Sequence, residues 1–190
     1  MKSTPFLLAL LLCACASLPE PAPRVMLDEQ TGVSLSVVAE PIVLARDRRD
    51  LAAHARDYLT LVAVERNQAG RRNLMLLVYR WSTIDRRVNA QPDAAARQLV
   101  LVADGRDVPL RPVAEQLPAE LRPRPELLQP DVSDVDAIAY RVDREALRVI
   151  SQGSELLGFF ADARGALPFR LWADGRAALA RFAEEAGEGD

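Results

Sequence analysis

Hydrophobic residues recur along most of the chain in short runs or at every second position, which is the spacing of β-strands. Segments of this kind at residues 33–38, 42–44, 58–66 and 137–142 predict strands. Residues 74–79 are apolar at every position. A strand of that composition is expected to be central and covered on both faces.

The turn of one hairpin predicts which residues of its two strands lie opposite each other. Asp104-Gly105 fits a two-residue type I′ turn, because glycine tolerates a positive φ and aspartate nearly so. The register places four apolar residues on one buried face: Leu99, Leu101, Val108 and Leu110. Pro109 has no amide hydrogen to donate, so its strand is expected at a sheet edge.

A second hairpin is predicted from residues 156–161 and 166–172 around a loop at 162–165, with Phe160 opposite Leu167. Both of its faces are apolar, interrupted only by Arg170 on the second face, and each apolar face needs to be covered. One face is the predicted core side and carries Leu156, Phe160, Leu167, Phe169 and Leu171. The other carries Leu157, Phe159 and Pro168, our candidate interaction surface. Either the final helix covers this face with Leu179 and Phe182, or the face docks a partner.

Two short helices complete the prediction. Asp143 is placed to cap a helix over residues 144–152 that Gly153 ends, and Asp174 to cap a C-terminal helix. Residues 112–130 are interrupted by proline too often for a long element and predict an irregular crossover. The fold class is therefore mostly β and sandwich-like with two short helices, with α+β as the alternative.

The N-terminus has the form of an export signal. Lys2 precedes an apolar run at residues 6–12, which is too short to span a bilayer. Leu12-Cys13-Ala14-Cys15 resembles the lipobox of bacterial lipoproteins. The resemblance implies a signal peptide over residues 1–14, acylation of Cys15 and export to the outer membrane, with the domain facing the periplasm. An ordinary secretory signal peptide is the alternative.

The rest of the chain divides into a tether and one domain. Proline alternates with other residues from Leu18 to Arg24, so we assign 15–31 as the acylated cysteine and a stiff tether, and 32–190 as a single domain. Removing residues 1–14 leaves a net charge of −4 and Cys15 as the only cysteine. The domain is then expected to fold without a disulfide. The acidic balance argues against nucleic acid as a partner.

Catalytic and metal-binding chemistry is sparse in the sequence. His54 is the only histidine, so a Ser-His-Asp site would need it as the base, with Ser82 or Ser34 as nucleophile. His54 lies in a turn rich in alanine and charge that is expected to face solvent, so we predict no enzyme and no cofactor. The acidic cluster at Asp131, Asp134 and Asp136 fits either Ca²⁺ or a solvated turn, and we predict no metal site.

Two further groups have alternative interpretations. The pairs Arg71-Arg72 and Arg86-Arg87 either contact phosphates or are ordinary surface charge. The aromatic residues Tyr79, Trp81 and Tyr140 either line a pocket that stacks on a sugar or pack in the core.

The function expected from the sequence is protein interaction. Residues 57–72 and the later segment RWST resemble small uncharacterised exported proteins of proteobacteria, a likeness that implies no activity. We therefore expect a non-enzymatic lipoprotein that binds an envelope protein or supports envelope assembly. A module for a small ligand, glycan or lipid is the alternative. A deep pocket lined by Tyr79, Trp81 or Tyr140 would favour the alternative, and a closed core with an exposed apolar edge would favour the first.

Overall fold

The fold is one large antiparallel sheet with two helices. The computed structural model describes residues 22–51, 54–84, 98–160 and 167–186. The strands are β1 (Arg24–Asp28), β2 (Val33–Val37), β3 (Ile42–Asp47), β4 (Arg56–Gln68), β5 (Arg71–Ser82), β6 (Leu99–Ala103), β7 (Arg106–Pro112), β8 (Asp136–Arg141), β9 (Leu156–Phe160) and β10 (Phe169–Ala173). The helices are α1 (Arg144–Gln152) and α2 (Arg176–Glu185). The mostly-β prediction with two short helices, one near the C-terminus, is confirmed.

The sheet closes on itself. Its order is β1-β2-β4-β3-β10-β9-β6-β7-β8-β5, and β5 also pairs with β4. Strand β4 has 13 residues, long enough to pair β3 along its first half and β2 along its second half on one edge. Its other edge pairs with β5 throughout. One continuous sheet with an inner and an outer face therefore takes the place of two stacked sheets.

The inner face is the main core. Strand alternation directs one set of apolar side chains inward. The buried members of this set are Ile42, Leu44, Leu59, Leu61, Leu76, Val78, Leu99, Leu101, Val108, Leu110, Ile138, Tyr140, Leu156 and Phe169, and Phe160 and Leu171 are partly buried. Burial at this density supplies most of the stabilising free energy of a small domain.

A second layer covers the outer face of β2, β4 and β5. The crossover between β7 and β8 is irregular, as expected, with two short 3₁₀ turns at Ala119–Leu121 and Pro125–Leu127. Leu121 and Leu127 are fully buried, and the Tyr79 hydroxyl donates to the Leu127 carbonyl at 3.0 Å. Residues 75–79 of β5 are all buried, so the expectation of a strand covered on both faces is confirmed for them.

The β6–β7 hairpin has the expected register. Leu101 lies opposite Val108 and Leu99 opposite Leu110, with φ of 48° at Asp104 and 79° at Gly105. The edge expectation for Pro109 holds only in part. Strand β7 pairs with β8 as well, but the described pairs begin at Arg111, beyond the proline.

The helices lie over one end of the inner face. The Asp143 carboxylate accepts from the Ala146 amide at 2.7 Å, which is the expected cap of α1. Leu179 of α2 lines a narrow cavity with residues of the inner face, of the β2–β3 connection and of α1: Val38, Glu40, Ile42, Leu61, Leu76 and Ile150. Within the described ranges, neither helix has the length and apolar character needed to cross a membrane.

The folded part begins earlier than the expected residue 32. Residues 24–28 were expected in the tether but form β1, which pairs antiparallel with β2 from Arg24↔Val37 to Asp28↔Val33. The Asp28 carboxylate accepts from the Gln30 and Thr31 amides, and Gly32 adopts a φ of 66°. This turn reverses the chain direction, so that residues 24–28 pair with residues 33–37 as the first strand of a hairpin.

Candidate functional site

The candidate interaction surface lies on the outer face of the β9–β10 hairpin. Phe169 pairs with Gly158 and Arg170 with Leu157, which is the register expected from the sequence. Residues 161–166 lie outside the described part of the chain. Leu167, expected on the core side, is instead 68% exposed. It precedes Phe169, the first residue of β10 that pairs with β9 in the described part of the chain, so no described strand pairing directs its side chain to the inner face.

The final helix lies on the opposite side of the sheet from this surface. Leu157, Phe159 and Pro168 are half-buried. Strand alternation directs Leu157 and Phe159 outward, because Leu156 and Gly158 face the inner core. Leu179 packs on the inner face, so α2 does not provide the cover that was one of the two expectations.

Aromatic residues continue the outer face beyond the hairpin. Trp172 in β10 is 57% exposed and meets the Tyr58 ring edge-on, with 6.0 Å between ring centroids. Tyr58 stacks on Trp81 at 4.0 Å, and the Trp81 indole donates to the Thr60 hydroxyl at 3.0 Å. The Arg56 guanidinium lies 4.6 Å from the Trp172 ring centroid. We define the hairpin surface as Leu157, Phe159, Pro168 and Trp172, with the exposed Arg170 opposite Leu157 among them.

Sequence reasoning missed the role of Trp172. It assigned this residue to the end of a strand without a function. Trp81 and Trp172 are distant in sequence, and only the order β5-β4-β3-β10 brings them around Tyr58. The spacing of residues near Trp172 in the sequence therefore could not predict its contact with Tyr58.

The other aromatic candidates belong to the core. Tyr79 and Tyr140 are both fully buried, whereas Trp81 is half-buried. Burial raises the pKa of the Tyr79 hydroxyl above its ordinary value. Tyr79 and Tyr140 therefore pack inside the protein and do not present a stacking face to solvent.

Charged residues gather at the end of the inner face remote from the helices. The Asp57 side chain is 2% exposed and accepts from Arg46 at 2.8 Å and from Arg48 at 3.1 Å. Arg46 also lies 4.4 Å from the Phe169 ring centroid. Arg80 lies 5.0 Å from the Phe160 ring centroid and 3.5 Å from the Asp136 carboxylate.

The arginines of this charged end have acidic neighbours. An open depression of about 380 Å³ is lined by Arg46, Asp47, Arg48, Asp50 and Leu167. The hydrogen bond from Arg48 lowers the pKa of Asp50, and the one from Arg56 lowers the pKa of Asp47. Both carboxylates are therefore ionised at neutral pH and offset the arginine charge. The cluster joins β3, β4 and β10 through ion pairs and the contact of Arg46 with Phe169.

The histidine and serines do not assemble into a nucleophilic site. The Ser82 hydroxyl donates to the Arg56 carbonyl at 2.9 Å, and His54 is exposed. Ser34 lies opposite Asn67, whereas Ser82 lies opposite Asp57. These positions on β4 are about 33 Å apart at the rise of an extended strand, so Ser34 is far from the His54 turn.

The remaining predicted residues are dispersed. Asp131 and Asp134 are exposed, and within the described ranges no three acidic, histidine or cysteine residues have metal-binding geometry. Arg71 and Arg72 are exposed on the β4–β5 hairpin, and Arg72 lies 3.5 Å from Glu65. Cys15 and Arg86-Arg87 lie outside the described residues.

The structure thus places Leu157, Phe159 and Pro168 on one face of the hairpin. It separates Ser34 from the His54 turn, whereas Ser82 lies beside that turn, where the Thr83 hydroxyl donates to the His54 carbonyl at 3.4 Å. Comparisons with protein-family models, with curated proteins and with solved structures found no match to this chain.

Proposed function

We propose that this chain is a lipid-anchored, non-catalytic protein of the bacterial outer membrane that binds another envelope protein through the hairpin surface. The observation that carries the proposal is the position of α2. The helix packs on the inner face, and apolar residues of β9 and β10 on the outer face retain exposure. Contiguous exposed apolar surface on a protein usually marks a site of interaction.

The closed core supports protein binding over ligand binding. The fully buried Tyr79 and Tyr140 pack inside the protein, and the cavity beside Leu179 is too narrow for a water molecule. A small-molecule site normally needs a concave volume of about 300 Å³ or more that encloses most of its ligand. The depression of about 380 Å³ at the charged end is open, and its opposite charges offset each other.

The anchor is proposed from the lipobox resemblance. Acylation of Cys15 would hold the domain at the membrane, and several acyl chains on one residue exceed what stable anchoring needs. Replacing Cys15 by Ser is expected to release the protein from the outer-membrane fraction, whereas Cys13→Ser leaves it there. Retention of the Cys15→Ser protein in that fraction would contradict the anchor.

The binding surface can be tested with a matched pair of variants. Phe159→Ser changes the hairpin surface, and Leu51→Ser changes an apolar residue that is 56% exposed elsewhere. After chemical cross-linking in intact cells, Phe159→Ser is expected to lose the cross-linked partner, while Leu51→Ser keeps it. The melting temperature of each variant separates loss of binding from loss of folding. A folded Phe159→Ser variant that retains its partner would contradict the proposed surface.

One observation favours glycan binding as a second candidate function. Trp172 presents an exposed indole beside the Arg56 guanidinium, and aromatic rings with a nearby polar group suit contact with a sugar ring. A glycan site predicts that the full chain sediments with purified peptidoglycan and that Trp172→Ala abolishes this. Sedimentation that is unchanged in Trp172→Ala would exclude this surface as the glycan site.

A further inference from the structure

Strand β1 has one edge that is not paired with any described strand. It forms the end of the sheet and pairs only with β2 within the part of the chain that the structure describes. An edge strand offers a row of backbone N–H and C=O groups to another strand. Two of its side chains are unusually exposed for apolar residues, Val25 at 78% and Leu27 at 63%.

We infer that β1 pairs antiparallel with β1 of a second copy of this chain, about a two-fold axis at Met26. The strand sequence is Arg-Val-Met-Leu-Asp. In this register Arg24 lies opposite the partner's Asp28, Val25 lies opposite the partner's Leu27, and Met26 lies opposite its own counterpart. The two-fold axis generates each unlike pair twice, which gives the self-complementary contact of a symmetric dimer.

Charge complementarity selects this register. Opposite charges placed directly across antiparallel strands stabilise the pair. Moving either strand by one residue places Arg24 opposite Leu27, and moving it the other way places Asp28 opposite Val25. The register centred on Met26 is the one that matches both charges and pairs all five residues.

One of the two charged side chains is exposed, and the other is already held within its own chain. Arg24 is exposed. Asp28 is 9% exposed and is held by Arg124, whose Nη1 lies 3.1 Å from the carboxylate, and by the Thr31 amide at 3.0 Å, so the partner's Arg24 would add a second guanidinium to this acid. These hydrogen bonds lower the pKa of Asp28, with the Arg124 side chain as the largest cause, so the carboxylate is ionised at neutral pH. Val25 and Leu27 lie on the opposite face of β1 and would be covered by their symmetry mates.

Other occupants fit this edge less specifically. An extended segment of another protein would satisfy the backbone groups, but nothing in β1 dictates its side chains. A second copy supplies the acid opposite Arg24 and the base opposite Asp28 from the same five residues. The contact is small compared with stable dimer interfaces, so the pair is expected to be weak in dilute solution and is best detected by covalent trapping.

Disulfide trapping tests both the pairing and its register. The full chain with Cys13 and Cys15 replaced by Ser provides a background without thiols. Directly opposed residues of antiparallel strands have Cα atoms about 4.5–5.5 Å apart, within disulfide range. Met26→Cys is therefore expected to give a disulfide-linked dimer on mild oxidation. Val25→Cys alone is expected to give little, since its two copies are about 8 Å apart.

Two further variants serve as controls. Val25→Cys combined with Leu27→Cys restores an opposed pair and is expected to form the dimer, whereas Leu51→Cys, an exposed position elsewhere, is not. Without thiols, light scattering at high protein concentration is expected to detect a dimer that Arg24→Glu reduces and Arg24→Lys retains. A monomer at every concentration, no dimer from Met26→Cys, or equal yields at positions 25, 26 and 51 would each overturn the inference.

Discussion

Asp104 and Glu155 are joined by reciprocal hydrogen bonds. The Asp104 amide donates to the Glu155 carbonyl at 3.0 Å, and the Glu155 amide donates to the Asp104 carboxylate at 2.8 Å. The same carboxylate accepts from the Ser154 amide at 2.9 Å. One turn residue therefore fixes the β6–β7 hairpin to the segment that connects α1 with β9.

Asp104→Ala is expected to lower the melting temperature more than Asp104→Asn does. Asparagine keeps a side-chain hydrogen-bond acceptor and tolerates the φ of 48° at this turn. Alanine has no side-chain acceptor and disfavours a positive φ. Thermal unfolding of the two variants beside wild type measures the difference. Equal melting temperatures for both variants would show that the hydrogen bonds to residues 154 and 155 contribute nothing.

The same residue predicts a pH dependence. Hydrogen bonds from the Glu155 and Ser154 amides lower the pKa of Asp104 in the folded state. Its stabilising effect is therefore complete above the unfolded carboxyl pKa of about 3.9 and is lost as the pH falls through the lower folded value. The melting-temperature difference between wild type and Asp104→Asn should be constant from pH 5 to 8 and shrink in more acidic buffer. A difference that grows on acidification would contradict the assignment.

Leu101→Ala is expected to reduce the free energy of unfolding by about 2–5 kcal/mol, because the side chain is completely buried on the inner face. Val102→Thr is the control, since the next residue faces outward and is half-buried. It should cost less than about 1 kcal/mol. Chemical denaturation measures both values. Similar losses for the two variants would contradict the inward position of Leu101. The expectation that only one face of β6 is buried holds in part, since Val100, which faces outward, is 8% exposed.

Asp57→Ala is expected to reduce the free energy of unfolding by about 3–5 kcal/mol, because it leaves Arg46 without its buried acid. Arg48 retains its contact with Asp50, 2.9 Å away. The double variant Arg46→Met with Asp57→Leu removes both charges and should be more stable than Asp57→Ala alone. A double variant that is less stable would mean that the ion pair itself, and not an unpaired charge, determines the loss.

Gly175→Ala is expected to disturb the start of α2. An added Cβ would lie 2.4 Å from the Pro41 carbonyl oxygen, so the backbone must shift, at a cost of about 1–3 kcal/mol. Gly158→Ala is the control, because its nearest contact is the flexible Leu44 side chain at 3.2 Å. Denaturation midpoints compare the two. A smaller loss for Gly175→Ala would contradict the close docking of α2 on the β2–β3 connection.

Local features of the fold were predictable from the sequence. The Asp104-Gly105 turn set the register of Leu101 with Val108, and the Asp143 cap placed α1. Both follow from the chemistry of neighbouring residues. Strand β1 was missed because the prolines before Arg24 favoured a tether. The turn that begins at Asp28 nevertheless connects β1 with β2 in a hairpin.

Long-range features could not be obtained in this way. Closure of the sheet depends on β4 pairing with β2, β3 and β5, and no local pattern specifies which strands meet. The side of the sheet that α2 covers is likewise a tertiary choice, since both faces of β9 are apolar. The composition of the hairpin surface was therefore predictable at Leu157 and Phe159, whereas its exposure and its extension to Trp172 were not.

The most direct test of the proposed function is site-specific photo-cross-linking in growing cells. A photoreactive residue at position 159 is expected to capture one defined envelope protein, and the same residue at position 51 is expected not to capture it, although Leu51 is also exposed. The melting temperature of each purified variant verifies that it is folded. Capture of that protein at position 159 alone is the result that the account predicts. A folded variant that captures nothing at position 159, or the same proteins at both positions, would contradict it.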